Sequence, residues 1–299
     1  MIRKLLFFLA ALFLISTHGL CAEKPCVFHE EDITVIFDAP LRSSARKIID
    51  LYPGIKADLK RIFGWDLDFV PAVLLMRDTE QFQKLARNSM TVAFAVPEKN
   101  LVVIDYSRIN INPFSLDIIL KHELCHLLLH HHIRGPMLPR WLDEGICQWA
   151  SDGIGEIIID QKMSLLNKAA RSKRFIRLSG LEKGFPHRKD MLLLAYEESK
   201  SFTEYILGEF GTEGILCVLE NMKNGEDVHA AVLRGLSTSL ETLEEEWHSS
   251  LMQRVTWFIY LSYHLYEILF GFMGVIMLYA FIQAIIKKKA YQKEDDTDI

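Results

Sequence analysis

Residues 122–126 read His-Glu-Leu-Cys-His, and eighteen positions beyond His126 stands Glu144, inside Trp141-Leu142-Asp143-Glu144-Gly145. These two strings constrain the fold more than any other part of the chain. On a helix, side chains four residues apart lie one above the other on one face, so the imidazoles of His122 and His126 can grip a single ion. Glu123 then sits beside them, free to act as a base. The first string alone fixes only three positions and also suits an ordinary amphipathic helix. With the second, a zinc-dependent hydrolase becomes the first hypothesis.

The third ligand has competitors. His122 to His132 reads H-E-x-x-H-x-x-L-x-x-H, the histidine spacing of the metzincin motif. That motif places glycine where this chain has Leu129, because the backbone must turn sharply there. Leu129 favours a continuing helix, on which His132 is rotated about 240° from His126 and points away. His130 lies one turn along from His126, but ligands on three successive turns spread over roughly 11 Å of axis and do not converge on one ion. Gly135-Pro136 stops the helix and permits a return helix that presents Glu144 from a second direction. Glu144 is the expected third ligand; His130, His132 and a site without metal are the alternatives.

The ends of the chain set the expected compartment. Met1 to Ala22 has Arg3-Lys4, an apolar run from Leu5 to Ile15 and a small, polar exit ending Gly19-Leu20-Cys21-Ala22, the pattern of a secretory signal. Leu20, standing where a small residue precedes a lipidated cysteine, argues against a lipoprotein. Ile268 to Ile286 is a nearly uninterrupted apolar stretch of nineteen residues, close to the roughly twenty that cross a bilayer. Lys287-Lys288-Lys289 follows at once and marks a cytoplasmic end. Trp257, Tyr260, Tyr263 and Tyr266 fit an interfacial aromatic belt, with His264 and Glu267 beside them. The expected organisation is a signal peptide at 1–22, an extracytoplasmic domain at 23–255, a juxtamembrane segment and transmembrane helix at 256–286, and a cytoplasmic tail at 287–299, disordered from Ala290 to Ile299. A single-pass protein of a bacterial envelope is the expected setting.

Half of the 299 residues are hydrophobic, enough for a core with accessories. With 34 basic and 39 acidic side chains and no basic stripe interleaved with aromatics, nucleic acid is not an expected partner. The five cysteines, Cys21, Cys26, Cys125, Cys147 and Cys217, define no disulfide framework by spacing. Cys125 and Cys147 read as small hydrophobes packing inner helix faces.

The extracytoplasmic stretch reads as α+β. Ile33 to Phe37, Phe69 to Met76 and Leu101 to Asp105 have strand patterns. Ala39 to Phe63 reads as a helix that Pro53-Gly54 breaks or kinks, and Asp78 to Arg87 as one capped by Asp78 or Thr79. After Asn112-Pro113, Ser115 caps a long apolar helix from Leu116 to about Ile133 that carries the first motif. A second helix, from about Arg140 to Ser151, carries Glu144, and the rest is mostly helical.

His122, Glu123, His126 and the string Leu138-Pro139-Arg140-Trp141-Leu142-Asp143-Glu144-Gly145 together resemble the gluzincins, and within them the aminopeptidase-N-like and peptidase-MA-like metallohydrolases. Leu194-Ala195-Tyr196-Glu197-Glu198-Ser199, with Phe202, Tyr205, Ile206 and Phe210-Gly211, resembles the family's segment after the zinc site, and so does Gly235-Leu236-Ser237 through Leu243 to Trp247. The resemblance implies a small N-terminal sheet joined to a helical zincin metallopeptidase domain that binds Zn2+ and acts on a peptide or protein. One residue fewer separates His126 from Glu144 than is common in the aminopeptidase-N-like enzymes, and their G-x-M-E-N string is missing. An endopeptidase or narrow processing enzyme is therefore expected rather than an aminopeptidase.

The expected chemistry is hydrolysis by a zinc-activated water, with Glu123 as general base and then acid. By the same resemblance Tyr196, in its Y-E-x-S context, stabilises the oxyanion, and Leu101 to Asp105 is the edge along which an extended peptide pairs. Asp143 reads either as an orienter of a ligand histidine or as an exposed acid at a helix start, and Arg140 as meeting substrate or solvent. A membrane-anchored binding or scaffold protein with a structural zinc site is the alternative function. Glu123, which such a site would not need, argues against it.

Overall fold

Thr34–Phe37 (β2), Ala72–Met76 (β3) and Leu101–Asp105 (β5) are short aliphatic runs that pair in parallel, with Val35 opposite Val73 and Val73 opposite Val102. Parallel strands are covered on both faces, which is why these runs are continuously apolar rather than alternating. In the computed structural model, which describes residues 25–86, 90–109, 115–133, 138–152, 165–263 and 265–295, two further strands join them. Cys26–His29 (β1) and Ala93–Val96 (β4) add antiparallel edges, giving the order β1-β2-β3-β5-β4. Leu101–Asp105 therefore pairs on both sides and is no edge; the edge beside it is β4.

The period of two divides the sheet's side chains between two faces. Ile36, Leu74 and Val103 point to one face, where Phe82 of the helix Thr79–Ala86 (α2) packs with them. Val35, Val73, Val102 and Ile104, none of them exposed, point to the other. The helix Arg42–Phe63 (α1) packs along β2 there, and Leu116–His132 (α3) lies against β4 and β5. Pro53 sits within α1 without ending it; Gly64 ends it, in the left-handed region at φ 69°, donating its amide to the Lys60 carbonyl. Asp78 caps α2, its Oδ1 accepting from the amides of Glu80 and Gln81. Ser115 stands at the cap position of α3, but its hydroxyl donates to Asp117 instead of serving the helix amides.

Arg140–Ala150 (α4) packs on α3 and on Lys189–Lys223 (α6), a long helix interrupted at Gly211, where φ 68° and ψ 179° lie outside the helical region. Gly145 marks the α4–α6 crossing: a Cβ there would collide with Thr203 Oγ1 and lie 2.5 Å from the Ser199 carbonyl oxygen. Trp141 of α4, Phe202 of α6 and Trp247 form a buried aromatic chain with ring centroids 5.2 and 5.3 Å apart. Truncating any of these rings would cost about 3–5 kcal/mol. Between α4 and α6 lies Leu165–Ser172 (α5), whose first amides, Leu165 and Leu166, are accepted by the Glu197 carboxylate. Val228–Leu236 (α7) follows, and Asp227 caps it. The fold is thus mostly helical with a small sheet, an α+β class.

The chain divides into two compact units. The second consists of Asn167–Arg174 and His248–Ile299; it takes in the end of Leu240–Tyr263 (α8) and all of Leu265–Asp295 (α9). On α9, Leu269, Phe270, Phe272, Val275, Met277 and Phe281 are all exposed. Among the described residues no helix is long and apolar enough to cross a membrane. The backbone of α9 continues to Asp295, well into the stretch expected to be a disordered tail. The expected signal peptide at 1–22, Gly135-Pro136, Asn112-Pro113 and His264 lie outside the described residues.

Candidate metal centre

Helix α3 is buried without a break from His122 through Leu129. The polar residues of that buried stretch are His122, Glu123 and His126, which are 0%, 0% and 4% exposed. Helix α4 brings Asp143 and Glu144 against them, 2% and 0% exposed. Titratable groups removed from water need partners, and His122, His126, Asp143 and Glu144 find partners in one another.

The Nε2 atoms of His122 and His126 lie 3.1 Å apart, and Glu144 Oε2 stands 3.5 Å from the first and 3.7 Å from the second. Ligands at the corners of a tetrahedron around an ion at zinc distances are separated by about 3.3–3.4 Å, so this triangle has the size zinc requires. Its chemistry fits as well. Asp143 Oδ1 accepts from His126 Nδ1 at 2.6 Å, which leaves Nε2 of the neutral ring with a lone pair. Lone pairs and a carboxylate oxygen turned toward one another favour a cation among them. His122, His126 and Glu144 are the described residues best placed to hold one. His126, Asp143 and Cys147 form a second possible group, with Cys147 Sγ 3.4 Å from His126 Nδ1, but Asp143 already holds that nitrogen. Burial pushes the Cys147 thiol pKa up, so it stays a neutral thiol.

Burial disfavours charge on both histidines, and at His122 it prevails, holding the pKa below its ordinary value. At His126 the carboxylates of Asp143, Glu144 and Glu123 outweigh burial and raise it well above, the same negative surroundings favouring a proton on the ring or a metal ion at its Nε2. Burial also opposes ionisation of the acids. Arg140, His126 and His122 nevertheless keep Glu144 low, and His126 with His130 keeps Asp143 far below the usual carboxylate range. Arg140, a third exposed at the start of α4, turns one guanidinium nitrogen to Glu144 Oε1 and another to Asp143 Oδ2.

The competing histidines are engaged elsewhere. His130 Nε2 meets Asp143 Oδ2 at 3.0 Å, His132 Nε2 donates to the Asp66 carbonyl at 3.1 Å while its ring packs on Trp65, and His131 pairs with Asp68 at 2.7 Å. Asp143 is therefore buried and orients His126; it is not an exposed helix-start acid. Cys26, Cys125, Cys147 and Cys217 are free thiols. Tyr196 is buried in α6 with Leu192 and Leu193, its ring edge-on to Phe185 at 4.9 Å. Phe185 in turn lies under the Arg140 guanidinium, 5.9 Å from centroid to carbon. The sequence left Asp143 and Arg140 undecided because their partners are fixed only when α3 and the 182–185 segment meet α4.

A family model for the Peptidase MA superfamily matches residues 74–253, more than half of the chain. Among solved structures, a mutant M1 zinc metallopeptidase from Deinococcus radiodurans, bound to a Tyr-Ser-Ala substrate, is similar at 16% identity with a TM-score of 0.35. The match covers 78% of this chain and 51% of that one, so this chain spans about half of that enzyme's length. No curated protein matches.

Proposed function

The chain belongs to the peptidase MA superfamily, and on that premise we propose that it is a membrane-tethered zinc peptidase hydrolysing peptide bonds. The observation that carries this reading is the convergence of His122, His126 and Glu144, their ligand atoms within 4.8 Å of one another, with Glu123 buried on the same helix. These three residues would hold the ion. A zinc bound there would supply Lewis acidity, drawing down the pKa of water and polarising a carbonyl. Glu123 takes a proton from the attacking water and hands it to the leaving amine, a general base and then an acid. Asp143 fixes the tautomer and tilt of His126. Tyr196 donates to the oxyanion. An extended peptide adds to β4, the outermost strand on that side of the sheet among the described residues, which packs beside α3.

The tether is α9. Hydrocarbon left in water costs roughly 25 cal/mol per Å², and the apolar side chains of this helix are exposed from Leu269 to Ile285. With the signal sequence at 1–22 and the lysines at 287–289, a span over 268–286 leaves the catalytic domain, 23–255, outside a bacterial cytoplasm and the C-terminal tail inside. Nucleic acid has no part in this reading.

The test is Glu123→Gln, assayed beside the wild type on a proteome-derived peptide pool. Turnover should fall about 10³-fold with zinc content unchanged. Equal turnover, or a fully zinc-loaded wild type that cuts nothing, would leave an anchored binding protein with a structural zinc site as the better reading.

A further inference from the structure

Arg140 stands where the local rules for helices advise against it. It is the first residue of α4, and a cation at a helix N-terminus opposes the macrodipole. An arginine preceding its acid partner by four residues is also the weaker orientation for an i,i+4 pair. A surface ion pair contributes too little to offset both, since such pairs give about 0–1 kcal/mol. Glu144, however, is not on the surface: it is fully buried, and its two oxygens face different things. Oε2 faces the Nε2 atoms of His122 and His126, and Oε1 faces Arg140. The other terminal nitrogen of the same guanidinium lies 3.5 Å from Asp143 Oδ2, on the carboxylate that orients His126. The Arg140 amide donates to the Glu182 carbonyl at 2.8 Å, and Phe185 lies beneath the guanidinium, so the fork is held from behind.

We propose that Arg140 is a positioning residue that occupies Glu144 Oε1 and so restricts Glu144 to a one-oxygen ligand, keeping the fourth coordination position open. The inference rests on the metal reading of His122, His126 and Glu144. A carboxylate free to use both oxygens would fill the position that catalysis needs, whereas one guanidinium nitrogen on Oε1, with the other terminal nitrogen turned to Asp143, leaves only Oε2. A positive charge beside a cation site works against affinity for the ion. Arg140 therefore contributes geometry at the expense of binding strength, a signature that a merely structural residue does not have.

The experiment compares wild type, Arg140→Met and Arg140→Lys as full-length protein loaded with cobalt(II), reading the visible absorption that reports coordination number, and with zinc, reading affinity by chelator competition and steady-state kinetics. Arg140→Met should shift the cobalt spectrum toward higher coordination and bind zinc as tightly as wild type or up to about tenfold more tightly. Its kcat should fall about 10–100-fold with KM changed less than about threefold. Arg140→Lys, a point charge without the fork, should lie between, and it carries the same spectral test if Arg140→Met does not fold. An unchanged cobalt spectrum, or zinc affinity that falls together with thermal stability, overturns the proposal. A wild type that takes up cobalt but cuts no peptide sinks the peptidase reading alone, and the spectral comparison still decides the role of Arg140. Failure of the wild type to take up either metal removes the site and the inference with it.

Discussion

The first unit keeps His122, Glu123, His126, Asp143 and Glu144 at 4% exposure or less, whereas α9 in the second unit displays Phe270, Phe272, Val275 and Met277 at 65% or more. The two depart from the ordinary partition of residues in opposite directions. Buried charge can be resolved inside a protein, by pairing: Asp143 against His126 and His130, Glu144 against Arg140 and both metal-facing histidines. Exposed hydrocarbon has no such internal remedy. It is stabilised only by another apolar phase, so a helix of this kind says more about surroundings than about chemistry.

The sharpest way to break this contrast is at its polar pole. Glu144→Ala removes one corner of the ligand triangle and leaves Arg140 facing two histidines, so zinc affinity should drop on the order of 10³-fold by chelator competition. Undiminished affinity would return His130 and His132 as ligands. At the apolar pole, removing Leu265 to Ile299 should move the protein almost wholly from the membrane pellet to the supernatant on fractionation. If the shortened chain still sediments with membranes, α9 is not the tether. A smaller effect is expected where the site is braced: Gly145→Ala forces a methyl group against Thr203 and the Ser199 backbone, and should lower stability by about 2–3 kcal/mol in chemical denaturation. A neutral result would mean that α4 and α6 shift apart freely.

The smallest effect depends on pH. Burial pushes the Glu198 carboxyl up from 4.5 to about 8, with Glu244 and Glu197 adding to it against the Ile176 amide. Between those values the folded state binds more protons than the unfolded chain, so stability falls as pH rises through that window, and the loss is complete above about pH 8. Glu198→Gln, which keeps an acceptor for Ile176, should stabilise by on the order of 1 kcal/mol at pH 8 and by almost nothing at pH 5. Thermal melts at the two pH values check this; an equal shift at both would remove protonation as the cause.

Much of the polar pole could be read in advance. The i,i+4 spacing set His122 and His126 on one face, and the apolar run from Leu116 fixed the extent of α3 almost to the residue. The strand Leu101 to Asp105 was legible for the same reason, a continuous aliphatic run. The two edge strands were not. Cys26–His29 alternates over only four residues, and Ala93–Val96 is half alanine, a weak strand former. Their pairing depends on neighbours distant in sequence. The same holds for the side chains around the ligands: Asp66 and Asp68 draw His132 and His131 away through contacts that cross more than sixty positions of chain. Pro53 misled in a simpler way, because α1 tolerates a lost hydrogen bond where Ile48, Tyr52 and Ile55 are packed into the core.

Arg140, Asp143 and Glu144 occupy little more than one turn of α4, so the ligand, the carboxylate that steers His126 and the cation that steers both travel as one rigid cassette. Insertions or deletions in the connection ahead of this helix displace all three together or not at all. A lineage could therefore drift in the spacing between its two motifs, as this chain does by one residue, while inheriting the same arrangement of donors intact.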